Sequence, residues 1–407
     1  MPAKNPDHIR ILHTADWHLG REFHGADLGE AHRAFFDWLV EQIAEREVDL
    51  VLMAGDIYDR AVPPTSAVEL LNATLARLAD LAPVVLIAGN HDSIVRMSHG
   101  PLLRENLFLR SGTTEVGDPV VFEAGRFGEA SFPLAVYPIP YLDPVASAEA
   151  LGAAEKKHQA VLEAAIAACR ADLGGRPDGT RAIAMSHAFV AGGVVSDSER
   201  GIAVGRILDG VVGGAGQVPV STFEGFDYVA LGHLHRPQRM DGHEPVPRVR
   251  YSGSPLYLSF SEVGGEKSVS VIDLAADGTI AVDQVTVPPA FRVARIKGEL
   301  DELLTDERFA GHEDDWLEVT LTDPRRPDRP MDRLAKRFSR VLALRFSNLD
   351  REAPGAEAKR LAGIVERDPL ALVSEFVEHV SGGPPDEGEL ELLAEAVASK
   401  ASSETSS

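Results

Sequence analysis

The chain has 407 residues, of which 44% are apolar and 25% are charged, as in ordinary globular proteins. This length exceeds what one hydrophobic core usually holds, so two or three domains are expected. The formal net charge of −23 argues against binding nucleic acid through bulk charge. No apolar run approaches the roughly 20 residues of a membrane-spanning helix, and the start lacks the layout of a signal peptide. The single cysteine, Cys169, suits a reducing compartment, so we expect a cytoplasmic protein with no membrane partner.

The first part of the chain alternates short apolar runs with amphipathic helical stretches. Helical periodicity appears at residues 31–46, 65–80 and 146–172. Continuous apolar runs between turn signals predict strands that are buried on both faces. The alternation is typical of βαβ units and predicts an α/β fold, a β-sandwich covered by helices. The predicted strands are residues 9–13, 49–54, 84–88, 135–137, 182–185, 228–231 and 269–273.

The pattern changes after the two prolines at positions 288 and 289. Helix signals at 300–306 and 331–338 alternate with strand signals at 316–321 and 341–346, which predicts a small α+β domain. Two further helices are predicted at 361–380 and 389–400, separated by Gly and Pro. The predicted domains are therefore 1–288, 289–348 and 349–400, followed by a disordered Ser-rich tail at 401–407.

Polar clusters follow five of the predicted strands. In open α/β sheets, ligands bind beyond the carboxyl ends of the strands, so these clusters are expected to converge on one rim. Each cluster alone has a simpler explanation, such as a turn, a helix cap or a buried structural histidine. Their shared placement argues against coincidence for the whole set. The clusters are Asp16-Trp17-His18, Gly55-Asp56 with Asp59, Gly89-Asn90-His91-Asp92, Ser186-His187 and Gly232-His233-Leu234-His235.

The residue types in these clusters indicate metal chemistry. Carboxylates, imidazoles and one amide, without a thiolate, form a set of donors that suits Mn, Fe or Zn. Two such ions about 3.5–4 Å apart can clamp a phosphate and activate water for in-line attack. The clusters therefore predict a phosphoesterase with two divalent metal ions, and we expect these to be Mn.

The motifs Asp-x-His, Gly-Asp-x-x-Asp, Gly-Asn-His-Asp and Gly-His-x-His, in this order, resemble those of the calcineurin-like metallophosphoesterases. Within that superfamily the chain is most similar to the SbcD family of bacterial nuclease subunits, over about residues 8–380. Phosphoprotein phosphatases, another branch, carry Gly where this chain has Ala61 and Glu where it has Asp92. The stretches that carry the resemblance are His13-Thr-Ala-Asp16-Trp-His18-Leu-Gly20, Gly89-Asn-His-Asp-Ser93, Gly232-His-Leu-His-Arg-Pro-Gln238, Tyr251-Ser-Gly-Ser-Pro255 and Leu258-Ser-Phe260.

The resemblance implies a role for each residue of the clusters. His91 would stabilise or protonate the leaving-group oxygen. Asp92 would orient His91 through its other ring nitrogen, and Asp59 would contact the substrate. Asp56 would bridge two metal ions. The further ligands would be Asp16, His18 and His235 for one ion, and Asn90, His187 and His233 for the other.

The resemblance also implies an activity and partners for the chain. It implies a 3′–5′ exonuclease on double-stranded DNA and an endonuclease on single strands and hairpins, active in DNA repair and recombination. The partner would be an SbcC-type coiled-coil ATPase, in a heterotetramer that contains a homodimer of this chain. The domain at 289–348 would be a cap that tracks along DNA, and the helices at 349–400 would dock on the ATPase.

Two other interpretations remain open at the level of the sequence. The same two-metal site would serve a phosphomonoesterase or a cyclic-nucleotide phosphodiesterase. A scaffold with an inactive site is the third interpretation, and it is disfavoured because every ligand position is filled.

A group of arginines after the last polar cluster supplies candidates for contacts with DNA phosphates. In so acidic a chain, local positive charge must offset the repulsion of a polyanion. The alternative is that these arginines belong to an ordinary solvated face. They are Arg236, Arg239, Arg248 and Arg250.

Overall fold

The computed structural model of the chain describes residues 4–93, 97, 105–199, 206–208, 211–213, 217–240, 248–347, 388, 390 and 392. The helix predicted at 361–380 lies outside the described residues, as do most of the helix predicted at 389–400 and the tail at 401–407. Among the described residues, no helix has both the length and the apolar character that crossing a bilayer requires.

The described part of the chain contains 19 strands and six α-helices. They are β1 (Ile9–Thr14), β2 (Glu22–Phe23), β3 (Ala26–Asp27), β4 (Leu50–Ala54), β5 (Val84–Ile87), β6 (Leu107–Arg110), β7 (Val120–Phe122), β8 (Leu134–Ile139), β9 (Arg181–His187), β10 (Arg206–Leu208), β11 (Val211–Gly213), β12 (Tyr228–Gly232), β13 (Gln238–Arg239), β14 (Arg248–Tyr251), β15 (Ser268–Leu274), β16 (Ile280–Thr286), β17 (Val293–Gly298), β18 (Trp316–Leu321) and β19 (Arg340–Phe346). The α-helices are α1 (Gly29–Glu45), α2 (Thr65–Leu81), α3 (Pro144–Leu151), α4 (His158–Leu173), α5 (Leu300–Thr305) and α6 (Pro330–Leu334).

Two six-stranded sheets form the main architecture. The first has the order β16-β15-β1-β4-β5-β6, and the second has the order β13-β14-β12-β9-β8-β7. Strands β1, β4, β5 and β6 are parallel to one another, as are β14, β12, β9 and β8. The remaining strands of both sheets pair antiparallel at the edges. A smaller sheet has the order β17-β18-β19.

The two large sheets pack face to face, with helices on the outside. Successive side chains of a strand point to opposite faces, so each central strand contributes side chains to two hydrophobic cores. Ile11 and Leu52 of the first sheet share a buried cluster with Val136 and Ile183 of the second. Helices α1 and α2 cover the outer face of the first sheet, and α4 covers that of the second. The predicted α/β sandwich covered by helices is confirmed.

The single helix predicted at 146–172 is two helices in the structure. The first begins with Pro144 after Asp143, whose carboxylate accepts the N–H groups of Val145 and Ala146 at 3.0 and 2.9 Å. It ends at Gly152, which has a φ of 66°. A left-handed glycine is a common helix stop, and the apolar periodicity on either side of it concealed the break.

The chain divides into two compact units. The first comprises Met1–Ile296, Leu304–Val319 and Met331–Leu344, and it contains both large sheets. The second comprises Lys297–Leu303, Thr320–Pro330 and the described residues from Arg345 onward. Within the second unit, the N–H of Leu300 donates to Asp323 at 2.9 Å, and Arg326 lies 4.6 Å from the ring centroid of Phe346. The domain limits predicted from the sequence remain predictions.

A buried ion pair between Arg10 and Asp273 joins β1 to β15. Nε and Nη2 of Arg10 donate to the two carboxylate oxygens at 2.7 and 2.8 Å, and the side chains are 3% and 10% exposed. Because removal of one partner leaves a buried charge uncompensated, Asp273→Ala should lower the free energy of unfolding by about 3–5 kcal/mol. Urea denaturation measures this change.

The matched control is Asp283→Ala. Asp283 is 41% exposed and 3.8 Å from Arg46, so its loss should change the free energy of unfolding by less than about 1 kcal/mol. Equal losses in the two variants would contradict a special contribution of the buried pair.

Candidate metal centre

Most of the polar clusters lie in turns at the carboxyl ends of parallel strands. Asp16 and His18 follow β1, Asp56 follows β4, and His233 follows β12. Their φ values are 55°, 47°, 49° and 106°, in a region that few non-glycine residues occupy. Among the described residues, they make up four of the seven non-glycine residues with positive φ. Such strain persists where the surroundings enforce it, and it concentrates at functional sites.

Two glycines let the backbone approach closely between these turns. A Cβ on Gly232 would lie 1.8 Å from the carbonyl oxygen of Ala54. A Cβ on Gly89 would lie 2.2 Å from the amide nitrogen of Asp56. No side chain fits at these distances, so only glycine allows the approach. The end of β12 in the second sheet is thereby brought against the end of β4 in the first.

Donor atoms of Asp16, His18 and His235 form a first cluster, which we call group one. All lie within 4.8 Å of one another, and the Nε2 atoms of His18 and His235 are 3.1 Å apart. Oδ1 of Asp16 accepts the N–H of His233 at 2.9 Å. Its other oxygen, Oδ2, is buried and has no hydrogen-bond partner. A buried, unpaired carboxylate oxygen is costly, and a cation would satisfy it.

Donor atoms of Asp56, His187 and His233 form a second cluster, group two, which Asn90 completes. Nε2 of His187 and Nδ1 of His233 are 3.2 Å apart. Oδ1 of Asn90 lies 3.0 Å from the first of these nitrogens and 2.9 Å from the second. The structure therefore brings together an amide oxygen, a carboxylate and two imidazoles.

Asp56 is shared by the two groups. Its Oδ2 lies 3.5 Å from Nε2 of His18 and 3.4 Å from Nε2 of His187. Oxygen or nitrogen donors around one octahedral ion at about 2.1 Å are separated by about 3.0 Å. For a tetrahedral ion at the same bond length the separation is about 3.4 Å. The distances given above for His18, Asp56, Asn90, His187, His233 and His235 run from 2.9 to 3.5 Å, close to this range, so the residues present fit two ions that share Asp56.

The proton positions of the imidazoles support the same conclusion. Nδ1 of His187 lies 2.9 Å from the carbonyl oxygen of Ala54, and Nδ1 of His18 lies 3.4 Å from the carboxylate of Asp59. The carbonyl oxygen of Ala54 only accepts, so Nδ1 of His187 carries a proton. In the neutral ring that metal binding requires, the lone pair of Nε2 then faces Asp56.

Two family patterns match the chain. That of the calcineurin-like phosphoesterases covers residues 9–237, more than half of the sequence and all of the polar clusters. The chain belongs to the calcineurin-like phosphoesterase family. The SbcD C-terminal pattern, named the type 5 capsule protein repressor C-terminal domain, matches residues 290–381. Together the two matches confirm the resemblance to the SbcD family.

Several solved structures are similar to parts of this phosphoesterase. The protein TT1561 of Thermus thermophilus has 12% identity and a TM-score of 0.39, with 68% of this chain and 99% of that chain covered. GAP50, the anchor in the inner membrane complex of Plasmodium, has 8% identity and a TM-score of 0.39, with 83% and 96% covered. A dimetal phosphatase from Danio rerio has 14% identity and a TM-score of 0.42, with 69% and 97% covered.

The ionisation of the phosphoesterase site is set by burial and by its own charges. Burial raises the pKa of Asp16 to about 7, although His187 and His235 oppose this. Burial lowers the pKa of His18 to about 4. Burial also disfavours the charged form of His187, but Asp56 raises its pKa to about 9. The family uses divalent metals, and a bound divalent ion would favour the ionised carboxylate and the neutral imidazoles that metal binding requires.

His91 lies beside both groups, and one of its donor atoms forms a further cluster with donor atoms of His18 and Asp59, all within 4.8 Å of one another. The backbone N–H of His91 donates to Oδ1 of Asp56 at 3.0 Å, and the ring centroid of His91 is 4.9 Å from that of His18. Nδ1 lies 2.6 Å from the carbonyl oxygen of Asp59, which only accepts, so Nδ1 carries a proton. Nε2, on the far side of the ring, is the atom that can exchange a proton with a group bound at the site.

The expectation that Asp92 orients His91 is wrong. The carboxylate of Asp92 accepts three backbone N–H groups, those of Ile57, Tyr58 and Gly89, at 3.1, 2.9 and 2.8 Å. Buried amides at a turn need such partners, and Asp92 supplies them for the loops after β4 and β5. The atom beside Nδ1 of His91 is a backbone carbonyl oxygen instead.

Asp59 is engaged within the protein. It accepts a hydrogen bond from Arg21 at 2.9 Å and lies 3.4 Å from Nδ1 of His18. Burial acts to raise the pKa of Asp59, but the neighbouring His18 and Arg21 lower it to about 2. Asp59 therefore pairs with Arg21 and lies near His18, and its predicted contact with substrate stays a prediction.

The side chains of three of the four arginines are described, and their surroundings differ. Nη2 of Arg236 donates to the carbonyl of Ser261. Arg250 pairs in register with a residue of β12 that lies in the core between the sheets, so its side chain starts toward that core. Arg239 is exposed on β13, whereas the side chain of Arg248 lies outside the described part of the structure. Their contact with DNA stays a prediction.

The close approach at Gly89 provides a test of the site. Gly89→Ala places a methyl group against the backbone and the carboxylate of Asp56, so that carboxylate must shift away from both groups. We expect the affinity for Mn²⁺, measured by isothermal titration calorimetry, to fall by at least about 10-fold.

Gly311→Ala is the control for this variant, because a Cβ there meets nothing within 4 Å. Circular dichroism should show the parent fold in both variants. Unchanged Mn²⁺ affinity in folded Gly89→Ala would contradict the central position of Asp56.

Proposed function

We propose that this chain is the nuclease subunit of an SbcCD-type complex and hydrolyses DNA phosphodiester bonds with two divalent metal ions. The observation that carries the proposal is the position of Asp56, whose Oδ2 lies 3.5 and 3.4 Å from Nε2 of His18 and His187. A carboxylate placed in this way would be shared by two ions, and two-metal enzymes use such pairs to clamp a phosphate.

In this proposal, Mn²⁺ is the ion in both groups. Imidazoles favour transition metals over Mg²⁺, while carboxylates and an amide oxygen suit Mn²⁺. Asp16, His18 and His235 would hold one ion, and Asn90, His187 and His233 would hold the other, with Asp56 between them. When bound, the ions would polarise the phosphate and activate a water molecule for in-line attack.

The protein's own part in the reaction is to orient groups and to move one proton. The carbonyl of Asp59 keeps the Nδ1 proton of His91 in place, 2.6 Å away. Nε2 of the protonated imidazole would then give its proton to the leaving oxygen of the cut phosphodiester. The bond from the N–H of His91 to Asp56 would keep that ring at a fixed distance from the ions.

DNA is the proposed substrate because of the second family match. The SbcD C-terminal pattern covers residues 290–381, a region that a small phosphatase with the same site would not require. We propose that this region contacts duplex and hairpin DNA. We further propose that an SbcC-type coiled-coil ATPase binds the chain, which dimerises within a heterotetramer. The net charge of −23 supports such an arrangement, since the partner would supply most of the attraction for DNA.

Replacement of His91 should separate chemistry from metal binding. If His91 protonates the leaving oxygen, His91→Ala should lower the rate by about 10²–10⁴-fold. Bound Mn²⁺, measured by elemental analysis, should stay at the parent level. His312→Ala, which removes an imidazole that pairs with Asp315 in a different part of the chain, should change neither quantity. Loss of the metal from His91→Ala would instead make His91 a ligand.

Substrate preference tests the nuclease against the alternative of a phosphomonoesterase or cyclic-nucleotide phosphodiesterase. With Mn²⁺, the chain with its ATPase partner and ATP should degrade linear duplex and open a DNA hairpin, and chelation should abolish both activities. The chain alone should cleave a small chromogenic phosphodiester and bind duplex weakly at physiological salt. A phosphomonoester or a cyclic nucleotide cleaved faster than DNA by the complex would favour the alternative.

A further inference from the structure

A buried ion pair lies against His235, outside the two groups of donor atoms. Nζ of Lys267 is 2.6 Å from Oε2 of Glu262, and the side chains are 6% and 1% exposed. Such a pair is stable only if hydrogen bonds satisfy both members. Nζ also donates to the carbonyl of His235 at 3.0 Å and to Oγ of Ser254 at 2.8 Å, so all three ammonium protons have acceptors.

The other carboxylate oxygen of Glu262 reaches the ring of His235 through a serine. Oγ of Ser198 donates to Oε1 of Glu262 at 2.8 Å and lies 2.7 Å from Nδ1 of His235. With the serine proton in this bond, the hydroxyl oxygen accepts from Nδ1, and Oε1 of Glu199, which only accepts, lies 3.4 Å from the same nitrogen. In the neutral ring that metal binding requires, Nε2 is the unprotonated atom, and it faces His18 in group one.

A third contact holds the backbone of His235. Oε1 of Glu199 accepts its N–H at 2.5 Å. The N–H, the carbonyl and the ring of His235 are thus bound by Glu199, Lys267 and Ser198, respectively. None of these residues lies on a strand. His187, by contrast, bonds directly to the carbonyl of a residue in β4.

We propose that Ser198 and Glu262 are positioning residues that fix the ring of His235 and thereby set the affinity of group one for its metal ion. This inference rests on the proposed function, because it takes His235 as a ligand. When one ring nitrogen of a histidine binds a metal, the other often donates a hydrogen bond to a carboxylate, directly or through a hydroxyl group. This bond fixes the orientation of the ring and makes the histidine a stronger metal ligand.

The inference predicts an effect on one group only. Loss of such a partner typically weakens metal binding by about 10–100-fold. Group two contacts neither Ser198 nor Glu262 through its histidines, whose ring partners are Ala54 and Asn90. Removal of the Ser198 hydroxyl should therefore weaken the ion of group one and leave that of group two unchanged.

Two background variants, each with only one group intact, allow the Mn²⁺ affinity of each group to be measured separately. In the Asn90→Ala background group one keeps all of its donors, and in the His18→Ala background group two keeps all of its donors. Ser198→Ala is added to each, and Mn²⁺ affinity is measured by titration calorimetry in the full-length chain. We expect about a 10–100-fold loss in the first background and none in the second.

Two further variants test whether the effect comes from the hydroxyl. Ser198→Thr keeps an oxygen at the same place and should restore most of the affinity. Ser221→Ala removes an exposed hydroxyl at another position and should have no effect. Glu262→Gln keeps the shape but removes the charge, and should reproduce the loss in group one. Thermal unfolding identifies any variant whose folding has failed.

The possible outcomes distinguish the inference from the function on which it rests. If the parent chain binds no Mn²⁺, the proposed function itself fails. If the parent binds two ions and Ser198→Ala changes neither background, the positioning role is wrong while the metal centre stands. A loss of equal size in both backgrounds would also overturn it, because it would indicate a general structural defect.

Discussion

The carboxylate of Asp56 lies where the two large sheets meet, 1% exposed and within 3.5 Å of imidazole nitrogens on two sides. A buried carboxylate is stable only among hydrogen-bond donors or cations. The N–H of His91 supplies one donor, at 3.0 Å. The close contact of Gly232 with Ala54 brings the histidines of the second sheet to a carboxylate of the first sheet. Without that approach, Asp56 would face one group of ligands instead of two.

Residues of the site adopt strained backbone conformations, and the hydrophobic packing of the two sheets offsets the energetic cost. Non-glycine residues in left-handed conformations cost about 1–3 kcal/mol each, and Asp16, His18, Asp56 and His233 all adopt positive φ. Each of these residues follows directly after, or within a few residues of, a strand whose side chains are almost all buried. Because those strands are packed on both faces, the turns that follow them can adopt few other backbone conformations. The hydrophobic layers therefore hold the polar site in a geometry that the turns would not adopt alone.

The sequence predicted the parts of the fold and site that depend on apolar periodicity and on side-chain chemistry. Strand β18 lies at the predicted residues, and the clusters at the ends of β1 and β4 converge as expected. Features carried by the backbone were not predictable. The partner of Nδ1 in His91 is a carbonyl oxygen, which no residue type encodes, and the carboxylate of Asp92 serves amides instead. The helix break at Gly152 was hidden because the apolar pattern continues past it.

The support of His235 was missed for a related reason, and it shows how the two halves of the site differ. Ser198, Glu262 and Lys267 are common residue types far apart in sequence, and only folding makes them neighbours. The histidines of group two are held by residues at strand ends, which the sandwich fixes. His235 depends on loops around residues 196–199 and 254–267, which the chain can vary without altering either sheet. On the proposed assignment, substitutions in these loops would adjust the affinity for one ion while Asp56 and the other ion kept their places.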